Sequence, residues 1–142
     1  MSEIRTEINI NGTAEQVWNE LMDFDKFPEW NPFLREIIIL DSPLKVGSKL
    51  KANIDGMTIK PKVVKVIPNK EFHWFGRFLL PKIFDGRHMF EIEKINENEI
   101  KFIQKEKFKG IFVSLILKFI RNKTKNGFEN MNQALKARVE AS

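Results

Sequence analysis

The spacing of hydrophobic and polar positions changes near residue 110. Before that point apolar residues mostly alternate with polar ones, which is the period of a half-buried β-strand. In residues 111–140 they recur every three or four positions, which is the period of an amphipathic α-helix. At 1.5 Å per residue this helix is about 40 Å long. Its apolar stripe needs a large apolar surface, and we expect the preceding strands to provide it.

The predicted helix has one apolar and one polar face, with two exceptions. Leu115 and Phe119 fall on the otherwise polar side, so the first turns need a second partner. Asn126 and Gly127 are a weak point, because Gly costs a helix about 1 kcal/mol relative to Ala. The predicted apolar face consists of Val113, Leu117, Ile120, Thr124, Gly127, Phe128, Met131, Ala134 and Leu135.

Seven segments have the strand pattern and are joined mostly by short turns, which predicts an antiparallel sheet. After the first strand, Thr13 and Gln16 have the spacing of a capping box that starts a helix. A second short helical or loop segment follows over residues 23–32. The predicted strands are residues 3–10, 34–40, 48–55, 58–67, 71–80, 84–95 and 99–108.

These elements predict an α+β fold. A curved seven-stranded antiparallel sheet wraps around the long C-terminal helix, and two short helices follow the first strand. The chain length fits a single domain over residues 1–142.

Composition narrows the classes of site. The absence of cysteine excludes disulfides and thiolate metal sites, and two histidines argue against a multi-His metal site, so we expect neither metal nor cofactor. Without an apolar run of about 20 residues or a visible secretory signal, we expect a soluble, cytoplasmic protein. Thirteen Phe, three Trp and no Tyr indicate either a heavily aromatic core or an apolar pocket.

Charge is unevenly distributed along the chain. Residues 101–142 carry a net charge of +7, whereas residues 1–100 carry −2. The basic segment matches no nucleic-acid-binding motif, so we expect no nucleic-acid partner. A solvated helix face and a weak contact with an anionic membrane both remain open. The sequence is compatible with either a monomer or a homodimer.

Several motifs, in order along the chain, resemble one family. They are Ile-Asn-Ile at residues 8–10 with residues 13–18, Asp-Phe-Asp-Lys-Phe-Pro-Glu-Trp-Asn-Pro-Phe at 23–33, Phe-His-Trp-Phe-Gly at 72–76, Gly-Arg-His-Met-Phe at 86–90, Glu-Lys-Phe-Lys-Gly at 106–110, and residues 128–136. With these motifs the chain resembles the START-like or SRPBCC superfamily, in particular its polyketide cyclase/dehydrase-like bacterial members. The resemblance implies a helix-grip fold and an apolar cavity between sheet and long helix. A lipid, polyketide or other aromatic or apolar molecule would occupy that cavity.

Strand alternation indicates the polar groups of such a cavity. Gln104 and Glu106 share the inward face of the last strand, and His88 shares the inward face of the strand before it. Because a buried carboxylate needs a partner, a His88–Glu106 pair is the best acid/base candidate. The alternative places Glu106 at a rim, bonded to Arg77, Arg87 or a backbone amide, with His88 purely structural.

Other candidates have two interpretations each. The resemblance places Trp74 in the cavity wall, whereas the alternative is ordinary core. Asn31 and its neighbours gate the cavity or form a structural turn, and Gly127 leaves room for a ligand or for close helix packing. The complete candidate ligand-binding set is Trp30, Phe72, Trp74, His88, Phe90, Phe102, Gln104, Glu106, Thr124, Gly127 and Met131.

Three functions are compatible with these observations. The first is binding of a small hydrophobic ligand. The second is a polyketide cyclase or dehydratase in which His88 and Glu106 move protons. The third is a docking module that uses the basic helix, with Leu115 and Phe119, on an anionic membrane or a partner.

Overall fold

The computed structural model describes residues 2–77 and 85–142. The predicted strand residues 78–80 and 84 lie outside this part of the chain. Within it, no helix combines the length and the hydropathy needed to cross a membrane. The elements in chain order are β1 (Ser2–Asn11), α1 (Ala14–Met22), a 3₁₀ turn (Phe24–Lys26), α2 (Phe27–Trp30), β2 (Leu34–Ile39), β3 (Leu50–Ile54), β4 (Met57–Ile59), β5 (Lys62–Ile67), β6 (Glu71–Arg77), β7 (Asp85–Asn96), β8 (Glu99–Lys109) and α3 (Val113–Glu140).

The described strands form two antiparallel sheets rather than the one predicted. The larger sheet has the order β1-β8-β7-β6-β5, and the smaller has the order β2-β3-β4. The predicted strand 58–67 is divided, since Pro61 between β4 and β5 has no backbone N–H to donate to a ladder. Its carbonyl accepts from the Leu50 amide instead, at 2.9 Å. The strand count in the described chain is therefore eight, not seven.

The turn between β3 and β4 is a tight turn formed by Asp55 and Gly56. Asp55 and Gly56 have φ angles of 49° and 88°, so both occupy the left-handed region. Such a pair gives the two-residue hairpin turn whose twist matches the flanking strands. This β3–β4 hairpin stands beside the first half of α3, where Lys123 pairs with Asp55 at 3.4 Å.

The long helix α3 packs against β1 and β8 of the larger sheet and against α1. It begins at Val113 and runs without a break through Gly127 to Glu140. The predicted capping box of α1 is also present, because Thr13 Oγ1 accepts from the Gln16 amide at 3.1 Å and Gln16 Oε1 accepts from the Thr13 amide at 2.9 Å. The buried positions of α3 are Val113, Leu117, Phe128, Met131, Asn132, Leu135 and Val139.

Candidate functional site

The pairing of β7 with β8 places the predicted acid/base residues together. His88 lies directly opposite Glu106, and Gln104 lies two positions away on the same face. The exposed fractions of His88, Gln104 and Glu106 are 1%, 0% and 5%. The inward orientation expected from strand alternation is therefore confirmed for all three.

A hydrogen-bond chain continues from these strands to α3 and β1. Gln104 Nε2 donates to Asn132 Oδ1 at 2.8 Å, and Asn132 Nδ2 donates to Thr6 Oγ1 at 2.8 Å. The Thr6 hydroxyl donates to the Gln104 carbonyl at 3.0 Å. Asn132 and Thr6 were not among the predicted site residues. A polar Asn within the apolar stripe of a helix is the sequence signal that could have identified Asn132.

The donor-to-acceptor direction of these hydrogen bonds determines which nitrogen of His88 carries a proton. Because the Gln104 amide group donates to Asn132, its oxygen Oε1 faces His88 Nε2, 2.9 Å away. Nε2 must therefore be the donor, which leaves Nδ1 as the free nitrogen of the neutral ring. Nδ1 lies 3.4 Å from Glu106 Oε1 and makes no hydrogen bond with the described residues.

Aromatic rings enclose the His88 imidazole on several sides. Phe90 stacks on it with the ring centroids 4.5 Å apart, and Phe128 and Trp74 lie at 4.9 and 5.2 Å. Phe72 packs edge-on against Trp74 at 5.9 Å. The aromatic candidates of the predicted ligand set thus form a packed core around His88. Four candidates are at most 1% exposed and line neither opening described below: Phe72, Trp74, Phe90 and Phe102. Met131, which is 0% exposed, also lines neither opening.

A cavity of about 360 Å³ lies between the first half of α3, the end of β8 and the β3–β4 hairpin. Its walls are mostly apolar, and Glu106 is the buried charged group among them. The candidate Thr124 also lines it. The full lining is Phe33, Ile54, Asp55, Met57, Glu106, Phe108, Ile116, Ile120, Lys123 and Thr124. We call this opening the α3 cavity.

A second opening of about 410 Å³ adjoins the α3 cavity, and Phe33 lies in the lining of both. The Phe33 ring packs on Gly127, where an added Cβ would clash with Phe33 Cδ1. Gly127 thus allows close packing, here by the Phe33 ring, and it also lines the second opening. Phe33 was not predicted as a site residue, because no local pattern shows that it reaches α3.

The segment before β2 is a structural turn. Asn31 Oδ1 accepts from the amides of Phe33 and Leu34 at 3.0 and 2.8 Å. Asn31 therefore organises the backbone of a turn, which is the interpretation that was predicted as the alternative to a cavity gate. Trp30 packs edge-on against Phe27 at 5.2 Å and lines neither opening.

The other histidine, His73, lies on the opposite face of the larger sheet. Its Nδ1 accepts from Arg87, and its Nε2 lies 3.3 Å from Glu71 and 3.6 Å from Glu91. Burial, together with the Arg87 charge, lowers the pKa of His73 to about 4. Arg87 is thus on the outer face, bonded to His73, and not beside Glu106.

Glu71, His73 and Glu91 could each offer one ligand atom to a metal ion, and these atoms lie within 4.8 Å of one another. The surroundings oppose this use. Lys65 pairs with Glu71 at 3.0 Å and Lys105 pairs with Glu91 at 3.2 Å. Arg87 donates to Nδ1, which leaves the proton of the neutral ring on Nε2, the nitrogen that a metal would need. This cluster is an ion-pair network, which we call the outer network.

Comparison with known families agrees with this architecture. The model of the family described as "Polyketide cyclase / dehydrase and lipid transport" matches residues 1–140. The chain belongs to this family. No curated protein matches the sequence at a significant level.

Solved structures show the same fold at low sequence identity. A hypothetical protein from Helicobacter pylori superposes with a TM-score of 0.81 at 16% identity, covering 97% of this chain and 88% of that one. A START superfamily protein from Mycobacterium smegmatis gives 0.72 at 19% identity, covering 98% and 97%. An aromatase/cyclase from Streptomyces gives 0.77 at 9% identity, covering 98% and 93%. The predicted helix-grip fold of the START-like superfamily is confirmed.

Proposed function

We propose that this family member binds a small hydrophobic molecule in the α3 cavity and holds the molecule's polar group at Glu106. One observation carries the proposal: a cavity of about 360 Å³ with mostly apolar walls has a buried carboxylate in its lining. Ligand pockets commonly combine apolar walls with a few placed polar groups. The free Nδ1 of His88 lies 3.4 Å from Glu106 and gives a bound hydroxyl a second hydrogen-bond acceptor.

The hydrogen-bond chain supports a binding role for this pair. Gln104, Asn132 and Thr6 hold the His88 ring with Nε2 engaged, so Nδ1 keeps its direction toward Glu106 without a ligand. A polar group that is already oriented loses little freedom on binding, which raises affinity. The aromatic rings around His88 hold it in the same way.

The first experiment is native mass spectrometry of protein purified from its own host, followed by solvent extraction. We expect an apolar small molecule bound at one per chain. Protein without an adduct, which also fails to take up the uncharged dye N-phenyl-1-naphthylamine, would contradict the proposal.

A pair of variants locates the bound molecule. Ile120→Trp places a larger side chain in the cavity wall and should abolish dye uptake, whereas Asn122→Trp adds the same group on the exposed side of α3 and should leave uptake unchanged. Equal uptake by both variants would place the dye elsewhere.

A ligand pair tests the polar anchor. We expect 1-naphthol to bind about tenfold more tightly than naphthalene, because a hydrogen bond to a charged group is worth about 1.5–3 kcal/mol. In Glu106→Leu the two affinities should become equal. An unchanged preference for 1-naphthol in that variant would remove Glu106 from the site while leaving the cavity in place.

A second candidate is acid/base catalysis on a poly-β-carbonyl chain, favoured by the 3.4 Å separation between His88 Nδ1 and Glu106, the carboxylate that lines the cavity. Glu106 would take a proton from a carbon between two carbonyls. Glu106 would pass this proton to His88 Nδ1, and the resulting enolate would attack another carbonyl of the same substrate molecule. The alkoxide formed would then take the proton from His88 Nδ1. In this case Glu106→Gln should lose turnover and keep ligand affinity, whereas a protein that only binds releases its molecule unchanged.

A further inference from the structure

The start of α3 exposes large apolar side chains next to the α3 cavity. Four residues form this apolar patch: Ile111, Phe112, Leu115 and Phe119, with exposed fractions of 76%, 49%, 57% and 78%. Scattered exposed apolar residues are ordinary on protein surfaces, but a contiguous group more often marks a contact site. Within α3, Leu115 and Phe119 are four residues apart and so adjoin on the helix surface.

The chain segment that carries the apolar patch has charged residues of one sign. Residues 107–128 contain six Lys or Arg and no Asp or Glu. Lys118 and Lys123 are three residues after Leu115 and four after Phe119, so they flank the patch on the helix surface. Lys123 is paired with Asp55 at the hairpin, and Lys118 is exposed. A two-fold pairing of this surface with a second copy would place like charges together, and nucleic acid would leave the apolar side chains without a partner.

The apolar patch also adjoins the opening of the α3 cavity. Ile116 lines the cavity and lies three residues before Phe119, and Lys123 is shared by the cavity lining and the rim of the patch. Helix neighbours at these spacings are in contact. A binding partner in contact with the apolar patch would therefore face the entrance of the α3 cavity.

We propose that this surface docks on an anionic lipid bilayer, with the apolar patch inserted among the lipid chains near the headgroups and the flanking lysines at the headgroups. The combination of an exposed apolar helix face with basic neighbours is the one that binds membrane interfaces. The docked protein presents the entrance of the α3 cavity to the membrane, so an apolar molecule passes between bilayer and cavity without crossing bulk water. The docking itself does not depend on what the cavity holds.

The test is co-sedimentation of the full chain with vesicles of phosphatidylcholine alone and of phosphatidylcholine mixed with phosphatidylserine, at low and high salt. We expect binding to the phosphatidylserine vesicles at low salt only, because salt screens exposed charges. Phe119→Ser should weaken it about tenfold, since burial of a Phe side chain is worth more than one factor of ten. Lys118→Glu should weaken it by about fivefold or more.

Ile95→Ser is the matched control, because Ile95 is also exposed, at 45%, but lies in the β7–β8 hairpin segment among acidic residues. It should bind vesicles as the unaltered chain does. Phe119 is 78% exposed, so its variant should keep the melting temperature, which is measured alongside. Two results would each overturn the proposal: no vesicle binding at low salt, or equal binding by Phe119→Ser and the unaltered chain. A third would be a concentration-dependent dimer that Phe119→Ser abolishes, in a protein that does not bind vesicles.

Discussion

The two histidines of this protein lie on opposite faces of one sheet and differ in what surrounds them. His73 has charged partners on both ring nitrogens, with Arg87 at Nδ1 and two carboxylates near Nε2. His88 has a neutral amide at Nε2 and a single carboxylate, Glu106, near a free Nδ1, and it is Glu106 that lines the α3 cavity. Both are at least 96% buried, so burial alone does not distinguish them.

The difference lies in the capacity of each site to accept something new. In the outer network Arg87 occupies Nδ1, and each carboxylate has a lysine partner, so a ligand would have to displace existing pairs. Around His88 the hydrogen bonds run to Thr6 and end at the Gln104 carbonyl. They leave Nδ1 without a hydrogen bond to the described residues, next to Glu106, and Glu106 lines the α3 cavity. The geometry of the partners, rather than the residue type, therefore distinguishes the candidate site from the outer network.

The largest effect on stability is expected from Gln104→Leu, which breaks the series of hydrogen bonds that runs from His88 to Thr6. It leaves the His88 Nε2–H and Asn132 Oδ1 buried without partners, and each such group costs about 1–3 kcal/mol. We expect a loss of about 3–4 kcal/mol in the free energy of unfolding, measured by urea denaturation. A loss below about 1 kcal/mol would show that water replaces the Gln104 amide and that these hydrogen bonds do not fix the His88 ring.

The pH dependence of stability tests His73 in the outer network. Because its pKa is lowered to about 4 in the folded protein against 6.5 in the unfolded chain, the unfolded chain binds the extra proton between these values. The contribution of His73 is therefore complete above pH 6.5 and is lost as the pH falls toward 4, by at most about 3 kcal/mol.

His73→Gln is the matching variant, because it removes the titrating group and keeps a polar side chain. Its unfolding free energy should decline less between pH 6.5 and 4 than that of the unaltered chain. Parallel pH profiles for the two proteins would assign the acid sensitivity to other groups. Titration of the His73 ring by NMR gives an independent measurement of its pKa.

The smallest effect is expected from Lys65→Ala, at the edge of the outer network. The side chains of the Lys65–Glu71 pair are 39% and 27% exposed, and such partly solvated pairs contribute about 0–1 kcal/mol. Urea denaturation should show a change below about 1 kcal/mol, which becomes smaller still at high salt. A loss comparable to that of Gln104→Leu would remove the contrast between the two faces.

Local periodicity was enough to predict the parts of the site that lie on regular strands. Alternation along β7 and β8 placed His88, Gln104 and Glu106 on one face, and the observed register places His88 opposite Glu106. The amphipathic period of residues 111–140 likewise predicted α3 to within two residues of its start. These predictions succeed because side-chain direction follows from backbone geometry that each segment carries itself.

The sequence by itself thus determined the fold class, the family and the faces of the strands. Tertiary structure alone decided that Phe33 fills the space above Gly127, that Asn132 joins the chain from His88 to Thr6, and that Pro61 separates two sheets. It also decided that the aromatic candidates form solid core while the opening lies beside Ile116 and Ile120. The physical reason is that a cavity is the space that side chains from distant segments leave unfilled. Its position depends on their packing together, which no single segment encodes.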